Sequence, residues 1–259
     1  MDSEQKRQID VKDDLRQAVI VGRYEILKFF HGKKIFIFGG LIIALYALMT
    51  YLMFAFGEDD MTVRGATQSY ISFLGLLLLI GATLFSSVTI VSEFEDRTAL
   101  TLFTKPVRKY SIVIGKFGAA FFLNIGIILI YFILSAIAVA IKTGGVASEM
   151  APSFGFCALY AFSLTGIAMF FSALMKKSSS ASILTFIFIL LVPSIVAMIA
   201  ALALKIDTAE MWYVLDVASA AVVNVYDGPV EGVRDALVMI VWGLVPTIAA
   251  YFIFRKREV

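Results

Sequence analysis

Residues 70–91 read YISFLGLLLLIGATLFSSVTIV, and residues 92–110, directly after them, read SEFEDRTALTLFTKPVRKY. The first stretch carries no charged side chain and is long enough to cross a hydrocarbon core, which needs roughly 20 apolar residues in a helix. In lipid only a helix of this kind satisfies its own backbone groups. The second stretch is its opposite: Glu93, Glu95 and Asp96 come first, an apolar-striped centre follows, and Lys105, Arg108 and Lys109 close it. The fold turns on this junction, where a membrane span meets a charge-segregated segment far longer than a hairpin requires.

The same length criterion, applied outward, gives six spans, at about residues 35–56, 70–91, 117–141, 154–175, 181–204 and 236–254. The composition agrees: 259 residues, 60% hydrophobic, 16% charged, mean hydropathy +0.91. A soluble domain of this length needs more polar surface. The expected fold is therefore all-α, a polytopic membrane protein with six transmembrane helices. The formal charge of +2 gives no reason to expect a nucleic-acid partner. A mostly polar stretch of 34 residues precedes the first long apolar run, so no cleaved signal peptide is expected.

The loops assign the orientation. Eighteen of the 22 Lys and Arg residues fall in segments 1–34, 92–116, 176–180 and 255–259, leaving Arg64, Lys142, Lys205 and Arg234 on the other side. The positive-inside rule then places both termini, and the charged stretch, in the cytoplasm.

No Asp, Glu, Lys, Arg or His falls within the six spans as drawn. Ionisable groups at membrane depth mark ion-coupled carriers and voltage sensors, and their absence counts against both. Serines without a histidine at depth argue against an intramembrane protease. Gly32-Lys33 and Gly115-Lys116 lack the spacing and the following Ser or Thr of a phosphate loop. No catalytic, metal or cofactor-binding residue is expected. Cys157, the single cysteine, reads as a small apolar-facing residue, and His31 as an interfacial polar one. Pro193 and Pro246 read as kinks or accommodated prolines, and Gly39, Gly40, Gly75 and Gly81 as points of close helix packing.

Outside the spans, Leu15, Val19, Gly22, Ile26 and Phe29 recur at helical spacing, with Arg16, Arg23 and Lys28 on the polar side. The pattern reads as an amphipathic N-terminal interfacial helix with its bases toward anionic headgroups, with a soluble helix docked on a partner as the alternative. The outer segment 205–235 carries Trp212, Tyr213 and Tyr226 and is expected to form one or two short helices at the interface, as an anchor or as a closure of an outer mouth. In the charged stretch Leu100, Phe103 and Val107 lie at i, i+3 and i+7. Acids before bases suit the helix macrodipole, so a short helix is predicted from about Glu93 to Phe103, ended by Pro106. Such an element fits both a solvated loop and a receiver of force from a cytoplasmic partner.

The segment EFEDRTALTLFTKPVRKYSIVIGK resembles the signature loop of type-2, export-class ABC transporter permeases. Glu93, Glu95, Thr98, Leu102, Pro106, Val107, Gly115 and Lys116 occupy the matching places. Arg97 stands where a glycine is common, and Arg108 where a serine is frequent. The six spans, the N-terminal helix and the long outer segment also match that family's plan.

The resemblance implies a permease subunit of an ATP-binding-cassette transporter, an exporter, whose loop docks on a separate ATP-binding subunit. The docking residues it implies are Glu93, Glu95, Asp96, Arg97, Thr98, Leu102, Phe103, Pro106, Val107 and Arg108. ATP and Mg would be held by two copies of that partner, and a second permease copy or a sister chain would complete the pathway within the cell membrane of a prokaryote. The chain itself would be no enzyme; its other partner would be membrane lipid. In this layout residues 1–34 form the N-terminal helix and 35–259 the permease domain, with a coupling loop at 92–116. Two alternatives remain at this point: a non-transporting structural or assembly subunit using the same fold, and, on span count alone, an autonomous carrier or channel.

Overall fold

The structure is a computed structural model that describes residues 11–57, 61–95, 108–204, 211–227 and 231–257. All regular structure among them is helical: α1 (Val11–His31), α2 (Lys33–Phe56), α3 (Val63–Ser72), α4 (Leu74–Leu84), a 3-10 turn (Ser86–Val88), α5 (Val91–Glu95), α6 (Lys109–Thr143), α7 (Met150–Leu174), α8 (Ser178–Leu204), α9 (Leu215–Ser219), α10 (Ala221–Asn224) and α11 (Gly232–Lys256). Six of these stretches are long and apolar enough to cross a membrane, with α3, α4, the 3-10 turn and α5 together making the second. The six-span, all-α expectation matches this architecture.

The spans differ in burial. Of the most apolar window of the second span, 78% is buried, against 6% for the first and 17% for the fifth. The second span is therefore the central element, with α2 and α8 at the periphery. Gly39 and Gly40 lie on peripheral α2 and, like Gly75 on α4, have open space where a Cβ would stand, so only Gly81 of the four expected packing glycines meets a neighbour, the amide oxygen of Asn124. The closest helix crossing lies elsewhere, between α7 and α11. A Cβ on Gly166 would lie 2.2 Å from the carbonyl oxygen of Gly243, and the Ser163 hydroxyl donates to the Met239 carbonyl at 2.6 Å across the same seam.

The second span is not the single helix its apolar sequence predicts. It breaks at Phe73 and again at Phe85, and the buried run Ser86, Ser87, Val88, Thr89 crosses the second break. A broken helix at membrane depth must find partners for its freed backbone groups. Here side-chain hydroxyls supply them: Ser172 Oγ on α7 accepts from the N–H groups of both Ile90 and Val91 at 3.0 Å, and Thr89 Oγ1 donates to the Ser86 carbonyl at 2.8 Å. Ser172, from a neighbouring span, is thus what lets the chain bend there without stranding the Ile90 and Val91 amides, while Thr89 covers the Ser86 carbonyl.

The third span is longer than expected. At 35 residues α6 extends roughly 52 Å, well beyond a hydrocarbon core of about 30 Å. Its far end stops at Gly144, whose φ of 76° gives the left-handed residue that terminates helices. There Lys142 donates to the carbonyls of Met53 and Gly57 and so caps the last turn of α2. At the near end the extra turns carry α1. The two short helices α9 and α10 form in the outer segment as expected, but Leu215, Ala218, Val222 and Tyr226 are buried in the main core instead of resting at an interface. Of its three aromatics, Trp212 and Tyr213 stay exposed.

Candidate functional site

The N-terminal helix packs on the third span along one face. Asp14, Ala18, Gly22, Glu25 and Phe29 form its buried face, and this face packs along the first turns of α6 in the same direction. The crossing is made by two glycines: a Cβ on Gly115 would lie 2.4 Å from the Ala18 carbonyl oxygen, and one on Gly22 would lie 3.0 Å from that of Gly115. One glycine on each helix lets the backbones touch. Of the expected apolar stripe, Gly22 and Phe29 turn into this contact, while Leu15 and Val19 remain exposed beside it.

Directly above the glycine crossing lies a buried charge cluster. Lys116 Nζ donates to Glu25 Oε2 of α1 at 2.7 Å and to Glu93 Oε1 of α5 at 2.8 Å, and its side chain is 3% exposed. Lys28 adds a second cation, 3.6 Å from Glu93, and donates to Ser92 Oγ at 2.9 Å. Two carboxylates and two ammonium groups balance. Desolvating any one of them alone is costly, and the set is tolerable because each carboxylate meets a cation. The cluster joins three elements: the N-terminal helix, the end of the second span and the start of the third.

The other described ends of the charged stretch are tied down as well. Glu95 accepts hydrogen bonds from the backbone N–H of Ser178, at 2.8 Å, and from its hydroxyl, so the carboxylate sits at the N-terminus of α8, where the helix dipole favours an anion. Arg108 Nη1 lies 3.0 Å from Asp14 Oδ2 on α1, and the Tyr110 hydroxyl donates to the same carboxylate. Lys109 Nζ donates to the Arg255 carbonyl of α11 at 3.1 Å. Arg257 stacks over the Phe94 ring, 4.4 Å from its centroid, and donates to the Met175 carbonyl; burial holds its guanidinium below the ordinary arginine value. The roots of the loop are thus bonded to α1, α8 and α11.

Of the expected docking residues, Glu93, Glu95 and Arg108 are therefore engaged within the chain, at three separate anchor points. Asp96, Arg97, Thr98, Leu102, Phe103, Pro106 and Val107 lie outside the described residues, as does the helix predicted beyond Glu95. Sequence reasoning missed Glu25 and Asp14 as partners. The signal was present, since both fall at helical spacing with Ala18, Gly22 and Phe29, but a buried acid on a helix otherwise read as amphipathic has no reason to stand out until its cation is placed.

Asn124, a polar residue at mid-span, donates to Ser86 Oγ at 3.4 Å and packs on Gly81, which gives it a structural role at the break in the second span. Cys157 is buried in the main core, as its apolar surroundings suggest. A cavity of about 490 Å³ opens between α4, α7, α8 and the short outer helices, with Leu79, Tyr160, Ile189 and Asp216 in its wall. Among the described residues no group of three or more His, Cys, Asp or Glu side chains could hold a metal ion. What the cluster at the other end offers is a charge-bonded connection between the elements that lead into the loop.

Comparison with curated proteins yields no match. The sequence model of the family described as ABC-2 family transporter protein matches residues 58–252, from before the second span into the last one. With that match, six apolar helices and the loop between the second and third spans, the chain belongs to the ABC-2 transporter family, as a multi-pass membrane permease component of an ATP-binding-cassette transporter, which associates with an ATP-binding subunit.

Proposed function

We propose that this chain is one half of an ATP-driven exporter, that its loop 92–110 faces the cytoplasm, and that a separate ATP-binding subunit docks on the loop's central part, residues 96–107. The observation that carries the reading is the Glu25–Lys116–Glu93 cluster. A loop whose root is locked by buried charge to the second span, the third span and α1 passes a push to all three at once. Flexible tethers would dissipate it.

In this reading Glu93, Glu95 and Arg108 act as the fixed frame of the loop, and the partner grips Asp96, Arg97, Thr98, Leu102, Phe103, Pro106 and Val107. Nucleotide binding and hydrolysis in the partner, with its Mg, bias a two-state equilibrium of the permease. Two permease halves, identical or sister chains, face each other across the pathway, with two ATP-binding subunits beneath them. The skew of Lys and Arg toward the terminal end supports a cytoplasmic location for both termini and for the loop. A prokaryotic cell membrane is the location this reading assigns.

The test is deletion of residues 96–107 with a short Gly-Ser replacement, which leaves Glu93, Glu95 and Arg108 in place. The expected result is normal insertion and loss of the co-purifying ATP-binding subunit. Retention of that subunit in normal amount overturns the docking assignment.

A further inference from the structure

Beside the glycine crossing, α1 and α6 leave an apolar groove of about 420 Å³, walled by Leu15, Val19 and Ile26 on one side and Ile114, Gly118 and Phe122 on the other. Its lips are exposed: Leu15 is 58%, Val19 69%, Ile114 55% and Phe122 66% accessible. Gly118 has nothing within 4 Å of where a Cβ would stand, so the groove floor is open. Arg23 lines the groove, and Arg16 lies seven residues before it on the same face of α1. Both are exposed, and neither has an ion-pair partner among the described residues. The third base expected on this side, Lys28, is turned away to Glu93 and Ser92.

We infer that this groove is a binding site for a single anionic phospholipid, its acyl chain lying between α1 and α6 and its phosphate held by Arg16 and Arg23. Charge complementarity selects the occupant. In a bilayer the groove gains nothing from apolar contact that other lipid does not also offer, so shape localises the chain and the guanidinium pair supplies the preference. Two bases at an anionic membrane surface correspond to a preference on the order of thirtyfold. The site also has a place in the coupling path, because α1 carries Glu25 into the buried cluster. A lipid wedged beside the crossing fixes the angle of α1 and thereby the root of the loop. Binding itself is a property of this chain alone and does not depend on which ATP-binding subunit or cargo it serves; its effect on the loop rests on the proposed function.

The test uses the purified full chain in detergent, titrated with phosphatidylglycerol or with phosphatidylcholine of the same acyl chains, with retained lipid counted by native mass spectrometry. Saturable retention of one phosphatidylglycerol per chain is expected, at least tenfold tighter than phosphatidylcholine, with the preference shrinking as salt is raised. The R16Q/R23Q variant should bind both lipids equally and weakly. G118L, which fills the floor and leaves both arginines, should lose the retained lipid. Glycerophosphoglycerol, the headgroup without chains, should not compete. Equal retention of the two lipids by the wild type, undiminished phosphatidylglycerol on R16Q/R23Q, or full competition by the free headgroup overturns the inference. Should G118L fail to fold, the arginine variant decides alone. Retention of the ATP-binding subunit by the 96–107 deletion, with lipid binding intact, refutes the docking assignment without touching this site.

Discussion

Lys116 and Glu25, 91 positions apart in the chain, form a 2.7 Å ion pair with side-chain exposures of 3% and 6%. Removing Lys116 leaves the buried Glu25 without a cation among the described residues and Glu93 beside the half-exposed Lys28 at 3.6 Å. Lys116→Met should therefore destabilise the fold by about 3–5 kcal/mol, and the triple change K116M/E25Q/E93Q should recover most of that loss. Denaturant unfolding in detergent measures both. Equal losses for the single and triple variants would show that the cluster is held by packing and not by charge.

The glycine crossing makes a sharper steric prediction. A methyl group at Gly115 meets the Ala18 carbonyl at 2.4 Å, whereas one at Gly118, a single turn further on, meets nothing. G115A should push α1 off α6 at a cost of about 1–3 kcal/mol, and G118A should be neutral. Limited proteolysis of α1 is the readout, with G118A as the matched control.

Ser172 holds the second span where it is bent. Its hydroxyl oxygen accepts from two buried backbone N–H groups, those of Ile90 and Val91. In S172A both lose their acceptor, at about 1–3 kcal/mol for each buried unsatisfied group. Hydrogen exchange at these two amides should accelerate while the amides of α6 stay protected.

At the opposite end of the bundle, Glu149 precedes α7 and pairs with Arg64 of α3. Its own backbone N–H holds its carboxyl below the ordinary glutamate value against the opposing effect of desolvation, with the Ser148 hydroxyl and Arg64 adding to the lowering. A folded-state value below the unfolded one means that the contribution is present above the unfolded value of about 4.3 and is lost as pH falls through the lowered one. The melting temperatures of wild type and E149Q should differ at neutral pH and converge in acid. A difference that persists at pH values well below the glutamate range would assign it to packing.

The sequence by itself determined the membrane class, the number of spans and the position of the long charged loop. These follow from one-dimensional quantities: the bilayer imposes a length, and lipid excludes charge. It also indicated one or two short helices before the last span, where the structure has two. The apolar run at 70–91 could not show where its helix breaks, because Phe73 and Phe85 are ordinary apolar residues and the bend is made possible by Ser172, which lies 81 and 82 positions beyond the two amides it accepts from. Nor could the sequence show that Glu93, Glu95 and Arg108 bond to Lys116, Ser178 and Asp14.

Only the tertiary structure decided those pairings, because the free energy of a buried charge is set by what stands beside it. A glutamate at position 25 of an amphipathic helix looks solvated until Gly22 and Gly115 bring two backbones into contact and place Lys116 within hydrogen-bonding distance.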